Sequence, residues 1–299
     1  MKQEKQLLMM YCEENIHAGA GSSTGTIDLP IQREGHTGFP KFESSTLRGA
    51  IRENIEDTLK KKTEILEFNR IFGNKENGDI ASLIDFPDAK ILLFPIRSFK
   101  GVFAWITCPF VMKRFKKDVY NWFGKKLEYD IHAPENQQII VNDDSRIVYD
   151  DKVVLEEFLF NKISNKTLPL IEGKNFAKWI GENIGCEREY IEEMEMKTAI
   201  VSDDVFRDFV NLYTVRITRN KINTEMGTAQ DGALFNEEFL PSDSVLYSFA
   251  LTSDEFKKDD YLKSSESMKY FAKKLPTLFR LGGDKGIGKG MIRQNLIKF

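Results

Sequence analysis

The glycine-rich run Gly282-Gly-Asp-Lys-Gly-Ile-Gly-Lys-Gly290 constrains the fold most, because it resembles a phosphate-binding loop placed where such a loop cannot work. From Gly283 it matches G-x-x-x-x-G-K, but Gly290 stands where a Ser or Thr would hold magnesium. Nine residues follow it, whereas a P-loop needs a helix and further strands of a parallel sheet behind it. Nucleotide hydrolysis is therefore disfavoured. The run reads instead as a turn between the helix of residues 264–275 and a terminal strand. Its glycines let backbone N–H groups approach an anion while Lys285 and Lys289 supply charge, which suits an RNA backbone.

If RNA is the ligand, the basic residues must act locally, because the formal net charge of -3 argues against binding by bulk electrostatics. Between residues 273 and 299 seven Lys or Arg face one acid, Asp284. A second basic cluster, Arg207, Arg216, Arg219 and Lys221, is opposed only by Asp208. The balance reverses between residues 187 and 204, where seven acids face Arg188 and Lys197. Such segregation suits one anionic ligand and a separate solvated or partner-facing surface, although charges that merely decorate helices would look the same. Cys12, Cys108 and Cys186 are too far apart for a zinc pattern and read as buried reduced thiols. No apolar run reaches a membrane span, and the first residues are too interrupted for a signal peptide, so a cytoplasmic protein is expected.

Along the chain, residues 5–13 read as a short apolar strand running into a loop dense in Gly, Ser and Thr. Ser44 or Ser45 can cap a helix over about 46–60, whose Leu47, Ile51, Ile55 and Leu59 repeat every four residues. Residues 89–95 and 102–107 read as an antiparallel pair joined by a polar turn. Pro109 then opens an amphipathic helix bearing Val111, Phe115, Val119 and Trp122. Strand, helix, paired strands and helix open a ferredoxin-like, RRM-like βαββαβ unit, an α+β class. Residues 125–198 are less regular and read as an insertion between core segments 1–124 and 199–299. The stretch at about 220–236, with polar NTEMGTAQDG between strand-like arms, predicts a protruding hairpin.

The loop HAGAGSSTGTIDLPIQREGHTGF, residues 17–39, misses the G-x-G-x-x-G spacing and continues into IDLP rather than a helix, so a dinucleotide site is disfavoured. It carries His17, Asp28, Arg33, Glu34 and His36. For RNA cleavage a carboxylate can ligand a divalent metal or take the 2′-hydroxyl proton, while His or Arg stabilises phosphorane charge. Loops also collect Asp for turns, so composition leaves both readings open. Arg48 and Arg52 on the first predicted helix, and Arg97 in the RSFKG turn, are candidate RNA-backbone contacts, with Lys41, Arg219 and Lys289 beside them. Each would be a plain surface cation on the alternative reading. Glu237 and Glu238 either reach the cleavage site or pair within the hairpin base.

His17-Ala-Gly-Ala-Gly-Ser, Ile27-Asp-Leu-Pro-Ile-Gln-Arg-Glu, His36-Thr-Gly-Phe-Pro and Ser45-Thr-Leu-Arg-Gly together resemble the N-terminal signature of the RAMP superfamily. More narrowly, they resemble the fourth-subunit family of Cmr proteins, the Cas-seven-like backbone proteins of type III-B CRISPR effector complexes. The likeness continues through Arg97-Ser-Phe-Lys-Gly, Ala104-Trp-Ile-Thr-Cys-Pro and Gly232-Ala-Leu-Phe-Asn-Glu-Glu-Phe-Leu-Pro to Leu281-Gly-Gly-Asp-Lys-Gly-Ile-Gly-Lys-Gly. Residues 125–198 match weakly.

The resemblance implies a ferredoxin-like core with a lid-like insertion and a thumb hairpin. It implies copies stacked with other Cmr subunits in a helical filament along one CRISPR RNA, each thumb flipping a nucleotide of the guide–target duplex. It also implies cleavage of single-stranded target RNA with a divalent metal, Mg2+ being the expected ion, at Asp28, with His17 nearby in a less defined role. Two alternatives stay open: a filament scaffold that cuts nothing, and a standalone endonuclease for CRISPR precursor RNA.

Overall fold

The computed structural model of the chain describes residues 3–74, 80–220, 234–256 and 261–299. Its elements begin with β1 (Gln3–Cys12), β2 (Lys41–Phe42), α1 (Ser44–Glu56), α2 (Lys62–Phe72), β3 (Ile84–Asp85), β4 (Ala89–Arg97), β5 (Phe103–Thr107) and α3 (Pro109–Phe123). They continue with β6 (Gln138–Val141), β7 (Lys152–Leu155), β8 (Phe158–Lys162), β9 (Leu170–Ile171), β10 (Lys174–Asn175), α4 (Phe176–Ile184), α5 (Arg188–Lys197) and β11 (Thr198–Ile200). They end with α6 (Asp203–Leu212), β12 (Val215–Arg219), β13 (Phe235–Phe239), β14 (Val245–Ser253), α7 (Ser264–Lys274), β15 (Leu278–Arg280) and β16 (Met291–Ile297).

The run LLMMYC buries every side chain from Leu7 to Cys12, and such an unbroken apolar run suits a strand covered on both faces. β1 accordingly lies inside the sheet, antiparallel to β14 on one side and β16 on the other. β14 is buried from Val245 to Thr252 and is antiparallel to β4 as well. The full order is β15-β16-β1-β14-β4-β5-β11-β6-β8-β7, with β2 beside β4 and β3 beside β14. Helix α1 packs on β15, α7 on β1 and β14, and both α3 and α4 reach β1.

The antiparallel pair read from residues 89–95 and 102–107 is present as β4 and β5. β5 does not, however, take the next place after β4 beside β1. The strand beside β1 is β14, from far downstream, and β5 passes the sheet outward to β11. A short polar turn announces a hairpin locally, but which strand sits beside β1 is settled by packing between residues remote in sequence. Residues 138–162 lengthen the same sheet through β6, β8 and β7, while α4 and α5 pack against each other. The predicted hairpin at about 220–236 falls largely on residues 221–233, outside the described residues. Its arms β12 and β13 pair antiparallel from Val215 with Phe239 to Arg219 with Phe235.

The start of α1 corrects one expectation. Neither Ser44 nor Ser45 caps it through its side chain; Asp88 does so from across the fold, its Oδ1 accepting the Ser44 N–H at 2.8 Å. The other Asp88 oxygen takes Lys41 Nζ at 2.8 Å, so the expected RNA contact at Lys41 is occupied within the chain, with Glu43 as a second partner at 3.0 Å. Arg52, also expected to contact RNA, is 4 % exposed. It donates to the Phe72 and Gly73 carbonyls at 2.9 and 2.8 Å, filling acceptors that the end of α2 leaves open, and lies 5.0 Å over the Phe68 ring. Arg48 joins it on the Phe72 carbonyl at 2.7 Å. All three cysteines are free thiols, Cys12 and Cys108 buried and Cys186 partly so. No described helix is long and apolar enough to cross a membrane.

Truncating Arg52→Ala removes two hydrogen bonds to buried carbonyls and a packed cation, and is expected to cost about 2–4 kcal/mol of stability. Urea unfolding of the purified chain measures it.

Candidate functional site

The segment after β1 is laid across β13. Ile16 and Leu240 exchange backbone hydrogen bonds of 2.9 Å, and Leu29 donates to Asn236 and accepts from Glu238 at 3.0 Å each. Between these anchors the chain goes out and back on itself, with Ala20 N–H donating to Pro30 O at 2.9 Å and Gln32 N–H to Ala18 O at 2.8 Å. His17 and Asp28, eleven positions apart, thus both come to rest against one short strand.

His17 Nδ1 lies 2.7 Å from the Glu238 carbonyl, which can only accept, so Nδ1 carries the proton. Nε2 faces the Glu237 carboxylate at 3.5 Å, and the ring packs against Phe239 with centroids 5.6 Å apart. Asp28 Oδ2 accepts the Asn236 N–H at 2.7 Å, which fixes the carboxylate at the base of the β12–β13 arms. The side chain is half-buried.

The two adjacent glutamates divide, because alternate residues of a strand point to opposite faces. Glu238 is 1 % exposed and structural: its Oε2 accepts Ile31 N–H at 3.0 Å, and its Oε1 accepts Arg33 Nη2 and Thr214 Oγ1 at 2.6 Å each. Arg33 also donates to Gly38 O, Val210 O and Asn211 Oδ1. Glu34 is taken by Arg114 and Thr37 at 2.6 Å each, and His36 stands in solvent 3.9 Å from it. Of the five reactive residues in the loop, His17, Asp28 and Arg33 bear directly on β13, and Arg33 is spent on the Glu238 carboxylate.

Glu237 faces a charged cluster. Arg219 Nη2 is 3.1 Å from its Oε2, and the same guanidinium forks onto Asp284 at 3.0 and 2.7 Å. Burial pushes the Glu237 carboxyl above its ordinary range; His17 pulls it down, and Asp284 adds to the rise. The bond to Asp284 leads in holding the Arg219 guanidinium above its usual value. Lys289 Nζ lies 6.0 Å from the centre of the Phe239 ring, with the Arg219 Cζ 5.8 Å from it. Arg219, Lys289, His17, Glu237 and Asp284 therefore form one constellation around Phe239. Asp284, Phe239 and Asn236 were not singled out from sequence; the one signal for Asp284 was its standing as the lone acid in a basic run.

The terminal glycine run completes this arrangement by close approach. Gly283 N–H donates to His17 O at 2.9 Å, and Gly290 N–H to Asn15 O at 3.1 Å. Gly282 has φ +87°, and a Cβ there would stand 2.3 Å from the His17 carbonyl oxygen. Lys285, on a short turn of the same run, pairs with Glu53 at 2.6 Å. Arg97 lies elsewhere, exposed and paired with Glu156 at 2.8 Å. Arg48 and Arg52 line a separate cavity of about 920 Å3 at the start of α1, with Ser44, Ser45 and Asp88. Among the described residues no group of three or more His, Cys, Asp or Glu side chains is arranged to hold a metal ion.

The chain is similar to known proteins over nearly its whole length. The RAMP superfamily profile matches residues 10–293, and the chain belongs to that superfamily. Within it, the chain is 36% identical over 292 residues, 97% of its length and 95% of the relative's, to the CRISPR system Cmr endoribonuclease Cmr4 of Pyrococcus furiosus. It is 24% identical over 93% of its length to the Cmr subunit Cmr4 of Saccharolobus solfataricus, covering 92% of that chain. An oligomeric crystal structure of the Pyrococcus furiosus Cmr4 superposes with TM-score 0.72 at 30% identity, covering 99% of this chain and 100% of the other. A subunit of a type III-B Cmr-beta complex bound to cognate target RNA shares the fold, with TM-score 0.73 at 20% identity over 98% and 97% of the two chains.

Gly282→Ala forces a left-handed backbone on an L-residue and drives its Cβ into the His17 carbonyl, so a loss of about 2 kcal/mol or more is expected in chemical denaturation. Glu237→Gln tests the buried carboxyl by pH. Its raised value means that ionisation works against folding: the stability it contributes is present below the ordinary carboxylate range and lost as pH rises through the folded value. The Gln variant cannot ionise, so its stability relative to the parent should rise between about pH 4 and about pH 7. Parallel urea titrations at both pH values read this out.

Proposed function

We propose that the chain is a backbone subunit of a type III-B CRISPR effector complex that binds CRISPR RNA and cleaves complementary target RNA, with Asp28 as the carboxylate at the cut. The observation that carries this is the position of Asp28: its Oδ2 is fixed on Asn236 N–H at the base of the β12–β13 arms, with His17 packed against the same strand. In this reading β16-β1-β14-β4, with α1 and α7, forms a ferredoxin-like core, since the connections β1-α1-β4 and β14-α7-β16 with all neighbours antiparallel follow that pattern. The arms β12 and β13 would carry the thumb, and the β6–β8 region with α4 and α5 the lid.

Chemically, the cut needs the 2′-oxygen of one nucleotide to attack its neighbouring phosphorus while the bond to the 5′-oxygen breaks, leaving a cyclic phosphate and a 5′-oxygen that takes a proton from water to become a hydroxyl. A nucleotide flipped out of the duplex can place its 2′-oxygen in line, which a regular A-form helix prevents. Asp28 would take the 2′-hydroxyl proton or hold a divalent cation. One carboxylate suffices for the latter, because Mg2+ is often held by one or two carboxylates together with substrate phosphates and water. When bound, such an ion would supply Lewis-acid stabilisation of the phosphorane. Arg219 and Lys289 bring positive charge to the same place, suited to the flanking phosphates. Base pairing with the guide reads sequence, so the protein needs only backbone contacts, and a net charge of -3 is no obstacle if grooves between stacked copies are basic. Guide RNA, target RNA, further copies of the chain and other Cmr subunits are its partners, and the cytoplasm its compartment.

Asp28→Asn is the informative change, because the amide oxygen still accepts the Asn236 N–H while the charge is gone. In complexes assembled with guide RNA, cleavage at the regularly spaced sites should fall by at least about 10²-fold with assembly unchanged. Cleavage at the parent rate would sink the assignment of Asp28 and favour a scaffold. Loss of cleavage in chelator, restored by Mg2+, would assign the metal role over the proton-accepting one.

A further inference from the structure

Asp284 is the lone acid in the glycine run, and its backbone is left-handed, with φ +61°. Glycine adopts that conformation with less strain, as Gly282, Gly288 and Gly290 do in the same run, so an aspartate at this position is accounted for by its side chain.

The turn beneath that side chain is fixed. Gly283 N–H donates to the His17 carbonyl, Lys285 pairs with Glu53 on α1, and the Asp284 carbonyl accepts the Ile287 and Lys289 N–H groups at 3.0 and 3.3 Å. From it the carboxylate reaches Arg219, at the end of the β12 arm and 65 positions away in sequence. Both oxygens are used: Oδ1 accepts Nη1 at 3.0 Å and Oδ2 accepts Nη2 at 2.7 Å. A planar fork matched to a carboxylate in this way fixes the guanidinium in orientation as well as in position.

Donors remain open in that orientation. Glu237 faces Nη2 from 3.1 Å, so Nε and one Nη1 hydrogen of Arg219 have no partner among the described residues. The Arg219 side chain keeps 25 % of its surface exposed, which leaves a ligand access to it. Lys289, whose ammonium has no hydrogen bond or ion pair among the described residues, lies near the same Phe239 ring. Glu237 and Asp284 balance these two cations in charge. Any hold on a phosphate must therefore come from donors set at fixed places rather than from surplus charge.

We propose that Asp284 is a positioning residue for RNA, setting the Arg219 guanidinium so that its open donors and the Lys289 ammonium together bind one backbone phosphate beside β13. The inference deepens the function proposed above and rests on its RNA-binding part, not on cleavage. It makes an acid an aid to binding a polyanion, which inverts the simplest expectation. If Asp284 only neutralised Arg219, removing its charge would free the cation, lessen repulsion and tighten binding. If it orients Arg219, the same change weakens binding, because an amide accepts from one Nη and opposes the other.

Filter binding of a single-stranded RNA oligonucleotide to the full chain, over a range of salt, separates the two. Asp284→Asn suits the purpose, since Asn tolerates the left-handed backbone. Affinity should fall by about threefold or more, and the slope of log affinity against log salt should shrink by about 0.7, the loss of one phosphate contact. In an Arg219→Ala background the effect should vanish or change sign, because Asp284 is then only an acid near the RNA. Arg219→Lys, which keeps the charge but not the fork, should weaken binding about as much, and carries the test if Asp284→Asn folds poorly. Unchanged or tighter binding by Asp284→Asn, an equal loss in both backgrounds, or parent affinity in Arg219→Lys would each overturn the proposal. A parent chain without RNA affinity would overturn the RNA-binding reading along with it, whereas cutting at the parent rate by Asp28→Asn complexes would sink the cleavage assignment alone.

Discussion

The buried Glu238 carboxylate is the contact on which the site hangs. It ties together the returning strap through the Ile31 N–H and Arg33, the segment before β12 through Thr214, and β13 by its own backbone. A carboxylate 1 % exposed is unfavourable unless its charge is paired and both oxygens are hydrogen-bonded, and here Arg33 pairs the charge while Thr214 and the Ile31 N–H donate as well. Backbone bonds at Ile16 and Leu29 and the buried Ala18 and Ile31 hold the strap as well, while its exposed Gly, Ser and Thr residues bury almost nothing. The reactive loop is thus rigid at its two ends and open between them, which suits presenting His17 and Asp28 to a ligand brought by other molecules.

The same logic governs the glycine run. Its resemblance to a nucleotide-binding loop comes from shared composition, but the glycines meet different demands. Gly282 and Gly290 adopt left-handed φ where a side chain would strike the His17 and Leu281 carbonyls. The run wraps the back of His17 and carries Asp284 and Lys289 to the front. Backbone proximity and charge placement come from one segment, which accounts for so many glycines beside so many cations.

Several candidates chosen as RNA contacts have partners within the chain. Lys41 sits on Asp88, Arg52 on the end of α2, Arg97 on Glu156 and Lys285 on Glu53. Sequence marks a cation but not its counter-charge, which arrives from another part of the chain. Arg52 differs from the rest in being buried, and its function is structural. The exposed pairs are held weakly, and a phosphate can compete for them.

Local patterns in the sequence determined the strands of residues 5–13 and 89–107, the helices starting near residues 46, 109 and 264, and the reactive loop as the place to look. These follow from hydrophobic period, proline and glycine, which act within a few residues. The family was legible as well, from blocks of residues spread over the chain. Only the tertiary structure decided that β14, and not β5, lies beside β1, that Asp88 rather than a serine caps α1, and that Glu238 is structural while Glu237 faces His17. Adjacent glutamates look alike in sequence and are separated by the alternation of a strand, whose facing depends on what packs against it. Partners that meet only on folding leave no trace in the spacing of either segment, so the constellation around Phe239 became visible only when β13, the strap and the glycine run were brought together.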